Sequence, residues 1–242
     1  MSDAPPPARR RSRHVPAAAL ALVGLAALGT GGVLLTGELT REPTRAELAA
    51  AAERETHERW RLRPVGEVFP AEVPYGDAAD GSVKPIARRV GIASAASCAE
   101  ALDTDAARAL AAHGCRTVLR ATYVDATGTQ VTTVGLVPLR DADAGRTAVR
   151  EMSGREREGL RAVGFPETAS APFTDATRQA FVAGGTGRYL LLQTSGWLDD
   201  RPALPPEAVV SRFGHGSAVL AALSAFLGDP AASVCEAERV AC

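Results

Sequence analysis

His215 and Ser217, in the run Gly214-His-Gly-Ser217, are the residues whose types and spacing come nearest to chemistry. An imidazole beside a hydroxyl is the pairing that acyl transfer uses, one group taking the proton as the other attacks. The context that would activate them is missing: no serine stands in a Gly-x-Ser-x-Gly elbow, and no acid partner is assignable. The expectation is no catalytic residue, with His215 and Ser217 as the candidates that an envelope hydrolase would need. Glu53 and His57, four apart, can share a metal ion, but two ligands do not make a site, and a solvated pair on one helix face explains them as well. Asp141-x-Asp143-x-Gly145 is similar to the opening of a calcium loop, yet the closing position is Met152, so Asp143 reads as a helix cap. Gly184-Gly-Thr-Gly187 lacks the lysine of a phosphate loop and lies between two strands, where it reads as a hairpin turn. No metal and no cofactor is expected. Tyr123, Tyr189 and Trp197 fall on predicted strands, where aromatic side chains fill cores; Trp197, beside Gly196, would line a groove if it faced outward.

The remaining chemistry is that of sulfur. Cys98, Cys115, Cys235 and Cys242 all lie in the C-terminal three-fifths of the chain. Their even number, without a Cys-x-x-Cys or zinc spacing, points to disulfides formed outside the cytoplasm. Of the three possible connectivities, Cys98–Cys115 with Cys235–Cys242 is expected. The first pair brackets one predicted helix, and the second closes a short terminal loop.

The elements that would carry these residues begin with a tether. Arg9, Arg10, Arg11 and Arg13 precede Val15 to Gly37, a segment with no charged residue. Its length suits a membrane-crossing helix, and basic residues before it favour a cytoplasmic N-terminus. The rival is a cleaved signal peptide cut after Ala27-Leu28-Gly29, but the apolar run continues through Val33-Leu34-Leu35. The expected organisation is a cytoplasmic tail (1–14), a transmembrane helix (15–37), a stalk helix (38–62), an extracytoplasmic domain (63–230) and a disulfide-closed tail (231–242). Setting aside the four arginines and Asp3 of the tail, the totals of 27 basic and 28 acidic residues leave the exterior mildly acidic. That gives nucleic acid no electrostatic footing.

Thr44-Arg-Ala-Glu47 is a capping box that opens the stalk helix, with Trp60 and Leu62 at the junction with the domain. A proline- and glycine-rich stretch, 63–81, reads as loop. Val83 to Ala93 reads as a strand, Cys98 to Gly114 as a helix ended by its glycine, and Thr117–Val124 with Gln130–Leu139 as a hairpin turning at Asp125-Ala-Thr-Gly128. A helix over Asp143–Arg161, a second hairpin (Arg178–Val182 and Tyr189–Leu198) and a helix over Leu204–Leu227 complete the pattern. The order implies an α+β fold: two hairpins plus an extra strand in one antiparallel sheet, with helices packed on one face.

The arginine-rich tail, single span, charged stalk and alanine-rich exterior with the phrase Gly114-Cys-Arg-Thr-Val-Leu-Arg-Ala-Thr-Tyr-Val-Asp125 resemble uncharacterised single-pass, membrane-anchored extracytoplasmic proteins of high-GC Gram-positive (actinobacterial) type. The resemblance covers most of the chain and implies no activity. The functional expectation is a non-catalytic envelope binding or interaction module, held to the membrane by residues 15–37, with a cell-envelope protein or ligand as partner. The alternatives are the hydrolase centred on His215 and Ser217, and a transmembrane signal relay.

Overall fold

The computed structural model describes residues 23–32, 36–37, 41, 44–76, 83–199, 201, 204–205 and 213–229. Two compact units divide the chain, Met1–Leu48 and Ala49–Cys242.

In the first unit residues 23–32 and 36–37 are helical, and Val23, Leu25 and Leu28 are exposed. The rest of the expected span, 15–22 and 33–35, lies outside the described residues, as does the tail 1–14. Among the described residues no helix is long and apolar enough to cross a membrane. The capping box forms: the Thr44 amide donates to Glu47 Oε2 at 2.8 Å and the Glu47 amide to Thr44 Oγ1 at 3.3 Å. Arg41, followed by Thr44, holds the Glu47 carboxyl down at about 2.

Helix α1 (Arg45–Leu62) starts at that box. The second unit contains its remainder, followed by α2 (Val65–Val68), strand β1 (Glu72–Pro74) and β2 (Ile86–Ser97). Helices α3 (Cys98–Ala101) and α4 (Thr104–Ala111) lead to strands β3 (Thr117–Val124) and β4 (Gln130–Pro138). Then come α5 (Ala142–Met152), strands β5 (Arg178–Thr186) and β6 (Tyr189–Trp197), and α6 (Gly214–Gly228). The strands form one antiparallel sheet in the order β1-β2-β3-β4-β6-β5. The fold is α+β, as the element pattern implies.

The expectation of helices on one face is corrected: both faces are covered. On one side α3, α4 and α5 pack with Val118, Val137, Leu190 and Leu192. On the other, α2 and α6 pack with Ala121, Val134, Leu136 and Leu191. The reason is visible in the strands themselves. Every residue of β4 after Gln130 and every residue of β6 before Trp197 is buried. A strand buried on both faces carries a continuous apolar run rather than an alternating one, and Leu190-Leu-Leu192 is such a run. Helix α6 touches β1, β2, β4, β5 and β6, so it reaches from one sheet edge to the other and the sheet curls around it. Its buried face, Val219, Leu220, Leu223 and Leu227, is the apolar stripe that such packing needs.

Other expectations shift in detail. The 63–81 stretch contains an edge strand, β1, where a proline is tolerated. The helix expected over Cys98–Gly114 breaks at Leu102 and Asp103 because both residues are claimed by a distant segment. Leu102 bridges Leu160, the Asp103 amide donates to Gly159 O at 3.0 Å, and the Asp103 carboxylate accepts from Arg178 at 2.6 and 3.2 Å. Helix α5 stops at Met152, and residues 153–177 lie across the sheet instead. There Leu160 and Phe165 press on Gly135 and Gly91, positions where a Cβ would approach those side chains to 2.8 and 2.6 Å. Asp141, not Asp143, caps α5, accepting from the Ala144 amide at 2.8 Å. The glycine run at 184–187 is mostly strand: Thr186 pairs with Tyr189, and the turn is Gly187-Arg188, with Gly187 at φ 54°. Leu204 and Pro205 are not helical, and residues 206–212 lie outside the described residues.

Cys98 and Cys115 form a disulfide with a sequence separation of 17. It closes around α3 and α4 together. Cys235 and Cys242, with the tail 231–242, lie outside the described residues. Replacing both bridge cysteines by serine is expected to lower stability by about 3 kcal/mol in the chain-entropy limit, and by less if the reduced chain retains structure. Urea unfolding of wild type and double variant measures it, and unchanged midpoints would deny the bridge any structural weight. Peptide mapping without reductant should recover a linked Cys98–Cys115 peptide.

Candidate functional site

The stalk reading changes first. The chain meets the folded unit well before Trp60, because the second half of α1 is part of it. Arg59 is 1% exposed, donating to Glu55 from Nε and Nη2 and to Phe226 O from Nη1. The Tyr189 hydroxyl donates to Thr56 O at 2.6 Å and to His57 O at 2.9 Å. Burial pushes the Tyr189 phenol up to about 12, so it remains a donor at any physiological pH.

Between α1 and the end of the sheet lies a cleft of about 470 Å³. Ala49, Ala52, Glu53, Thr56 and His57 line it from α1, at the i, i+3, i+4, i+7, i+8 spacing that makes one helix face. Opposite stand Gly187, Arg188 and Tyr189 of the β5–β6 turn, with Ala142 from α5 and Leu227 from α6. Glycine lets these walls close in: a Cβ on Gly145 would run into Gly187 O, and one on Gly228 would reach Thr186 Oγ1 at 2.5 Å.

Arg188 is held in place at the cleft. Its Nε donates to Leu139 O at 2.5 Å, and its Nη1 donates to His57 Nδ1 at 2.8 Å. Glu58 Oε1 lies 3.3 Å from the same Nδ1. A nitrogen that accepts from Arg188 cannot donate to Glu58, and the shorter contact decides; the network therefore assigns the His57 hydrogen to Nε2. Among the described residues Arg188 has no acidic partner, and Glu53 has no ion-pair partner of any kind. The pair weighed as a metal site, Glu53 and His57, thus shares the cleft with an arginine. Among the described residues no three His, Cys, Asp or Glu side chains gather where they could hold a metal ion.

His215 sits elsewhere, in the first turn of α6, on its buried face. It is 1% exposed, and its Nε2 lies 3.0 Å from Thr132 Oγ1, which is 2.7 Å from Ser195 Oγ. Gln193 Nε2 donates to Ser195 Oγ at 2.9 Å. Tyr75 meets the imidazole edge-on at 5.9 Å between centroids. His215 Nδ1 and Gln193 Oε1 are buried without a partner among the described residues. Burial pushes the imidazole down to about 4, against the pull of Asp125. Ser217 is exposed and about 200° further round the helix axis, so the fold does not bring it to His215. The hydroxyls near His215 are those of Thr132 and Ser195, which sequence reasoning missed. Their signal was the polar runs Thr132-Thr133 and Gln193-Thr-Ser195, which interrupt the apolar residues of both strands. Tyr123 is core, donating to Pro70 O at 2.9 Å. Trp197 packs against Phe213 at 5.4 Å and under the Arg201 guanidinium at 4.5 Å.

No protein family, curated protein or solved structure matches the chain. Function therefore has to be argued from the cleft and the buried network alone.

Proposed function

We propose that this protein is a membrane-anchored extracytoplasmic binding module whose ligand enters the cleft between α1 and the β5–β6 turn. The observation that carries the reading is the cleft itself. It falls within the volume range of small-molecule sites, is lined largely by apolar side chains, and holds Arg188 and Glu53, which have no ion-pair partner among the described residues. The anchor rests on the four arginines and the uncharged segment 15–37, with residues 1–14 inside the cell. The Cys98–Cys115 disulfide is consistent with an oxidising exterior.

Two measurements test this. A reporter active only outside the cytoplasm should work when fused after Cys242 and fail when fused at Arg13; the reverse pattern sinks the topology. A library of small anionic, cationic, zwitterionic and neutral fragments, titrated into the full-length protein in detergent micelles, should shift the amide resonances of Gly187, Arg188 and Gly228. If no fragment class moves them, the cleft is not a binding site.

A further inference from the structure

We propose that the ligand of the cleft is a small zwitterion, an apolar α-amino acid, with its carboxylate on Arg188 and its ammonium on Glu53. This rests on the cleft being the binding site and adds the chemical class. Arg188 and Glu53 line one cleft yet do not pair with each other. A lone anion would satisfy Arg188 while bringing negative charge towards Glu53. A lone cation would do the opposite, and a neutral ligand would leave both charges to be desolvated without compensation. A molecule carrying an ammonium and a carboxylate on the same carbon satisfies both groups and leaves the net charge of the site unchanged.

Arg188 is prepared for a carboxylate. Its Nε is taken by Leu139 O and one Nη1 hydrogen by His57 Nδ1, which fixes the plane of the guanidinium. Its Nη2 makes no hydrogen bond among the described residues. Nη1 also reaches His57 O at 3.5 Å, so Nη2 is the donor left to the cleft, presented with little side-chain entropy left to lose. Glu53 precedes His57 by one helical turn on the same face of α1, so both recognition groups look into the same space. Ala49, Ala52, Ala142 and Leu227 make an apolar wall that suits an aliphatic or aromatic side chain, and Thr56, Thr186 and Tyr189 are the other polar residues of the lining. At about 470 Å³ the cleft is near the small end of ligand sites, fitting an amino acid rather than a peptide.

The test uses the full-length protein in detergent micelles and calorimetric titration. The probes are L-valine, L-leucine and L-phenylalanine, each beside the matching acid without the amine and the matching amine without the carboxylate. At least one amino acid should bind at least about tenfold more tightly than either of its single-charge analogues, since each lost charge-assisted hydrogen bond forfeits that much. Glu53→Gln should weaken the amino acid by about tenfold and abolish the preference over the deaminated acid, while leaving the unfolding midpoint in place. Arg188→Gln should weaken both. Because Arg188 also holds the turn, Glu53→Gln is the decisive variant. Equal binding of amino acid and deaminated acid, indifferent to Glu53→Gln, overturns the zwitterion while leaving the cleft a binding site. If none of the amino acids binds, the zwitterion falls too, and the fragment titration then decides separately whether the cleft binds anything.

Discussion

Glu55→Ala is expected to destabilise the folded unit by about 3–5 kcal/mol, a large effect for a residue on a helix that the sequence reads as a solvated stalk. Its partner Arg59 is 1% exposed. Glu55 accepts from Arg59 Nε at 3.0 and 3.2 Å and from Nη2 at 2.6 Å, while Nη1 donates to Phe226 O in the last turn of α6. The guanidinium also lies over the Phe226 ring at 5.6 Å. Without Glu55 a buried guanidinium loses the carboxylate that accepts from its Nε and Nη2, and the loss of that acceptor at a buried charge is the dominant cost. Glu55→Ala combined with Arg59→Met removes the cation as well and should recover most of the loss, because a packed apolar pair often replaces a buried ion pair at little cost. Urea unfolding of wild type, the single variant and the double variant supplies the cycle. A single-variant loss below about 1 kcal/mol, the range of exposed pairs, would mean that α1 is not docked on α6.

The second large effect is on acid stability. His215 is neutral and buried, its imidazole pushed by burial from the ordinary 6.5 down to about 4, with Asp125 opposing the shift. In the unfolded chain the imidazole takes up its proton at the higher pH, so between about 6.5 and 4 the unfolded state binds more protons than the folded state. Stability therefore falls as pH drops through that window, by on the order of 3 kcal/mol in total, and is fully retained above it. Asp103 and Asp125, whose carboxyls are held below the ordinary 3.8, lose their contribution only beneath that value, so the two effects separate on the pH axis. His215→Asn, which cannot titrate, should flatten the profile of unfolding free energy between pH 6.5 and 4.5. An equally steep profile in the variant would place the acid sensitivity in another group.

Local features of the fold were legible because neighbouring residues determine them. The Thr44–Glu47 box, the β3–β4 hairpin around Asp125 and Gly128, and the positive φ of 86° at Gly114 all follow from side chains within a few positions of each other. The cap at Asp141 rather than Asp143 is a local choice misread by two residues. The break in the helix after Cys98 was not legible, because the groups that stop it belong to Gly159, Leu160 and Arg178. Helix propensity is weak beside a buried ion pair and two backbone hydrogen bonds.

The same division runs through the sites. Composition and spacing alone determined the uncharged segment 15–37 behind four arginines, the even set of cysteines, the antiparallel hairpins and the nearness of Glu53 to His57 on one helix face. Only the tertiary structure decided that Arg188, 131 residues beyond His57, completes that face into a cleft, and that His215 meets Thr132 and Ser195 instead of Ser217. It also decided that the sheet is covered on both sides. Backbone hydrogen bonds and helix or strand period act over a few residues and are written in the sequence. The pairing of a charge or an imidazole with a distant partner depends on how the curled sheet wraps α6, and that is settled by burial summed over the whole core.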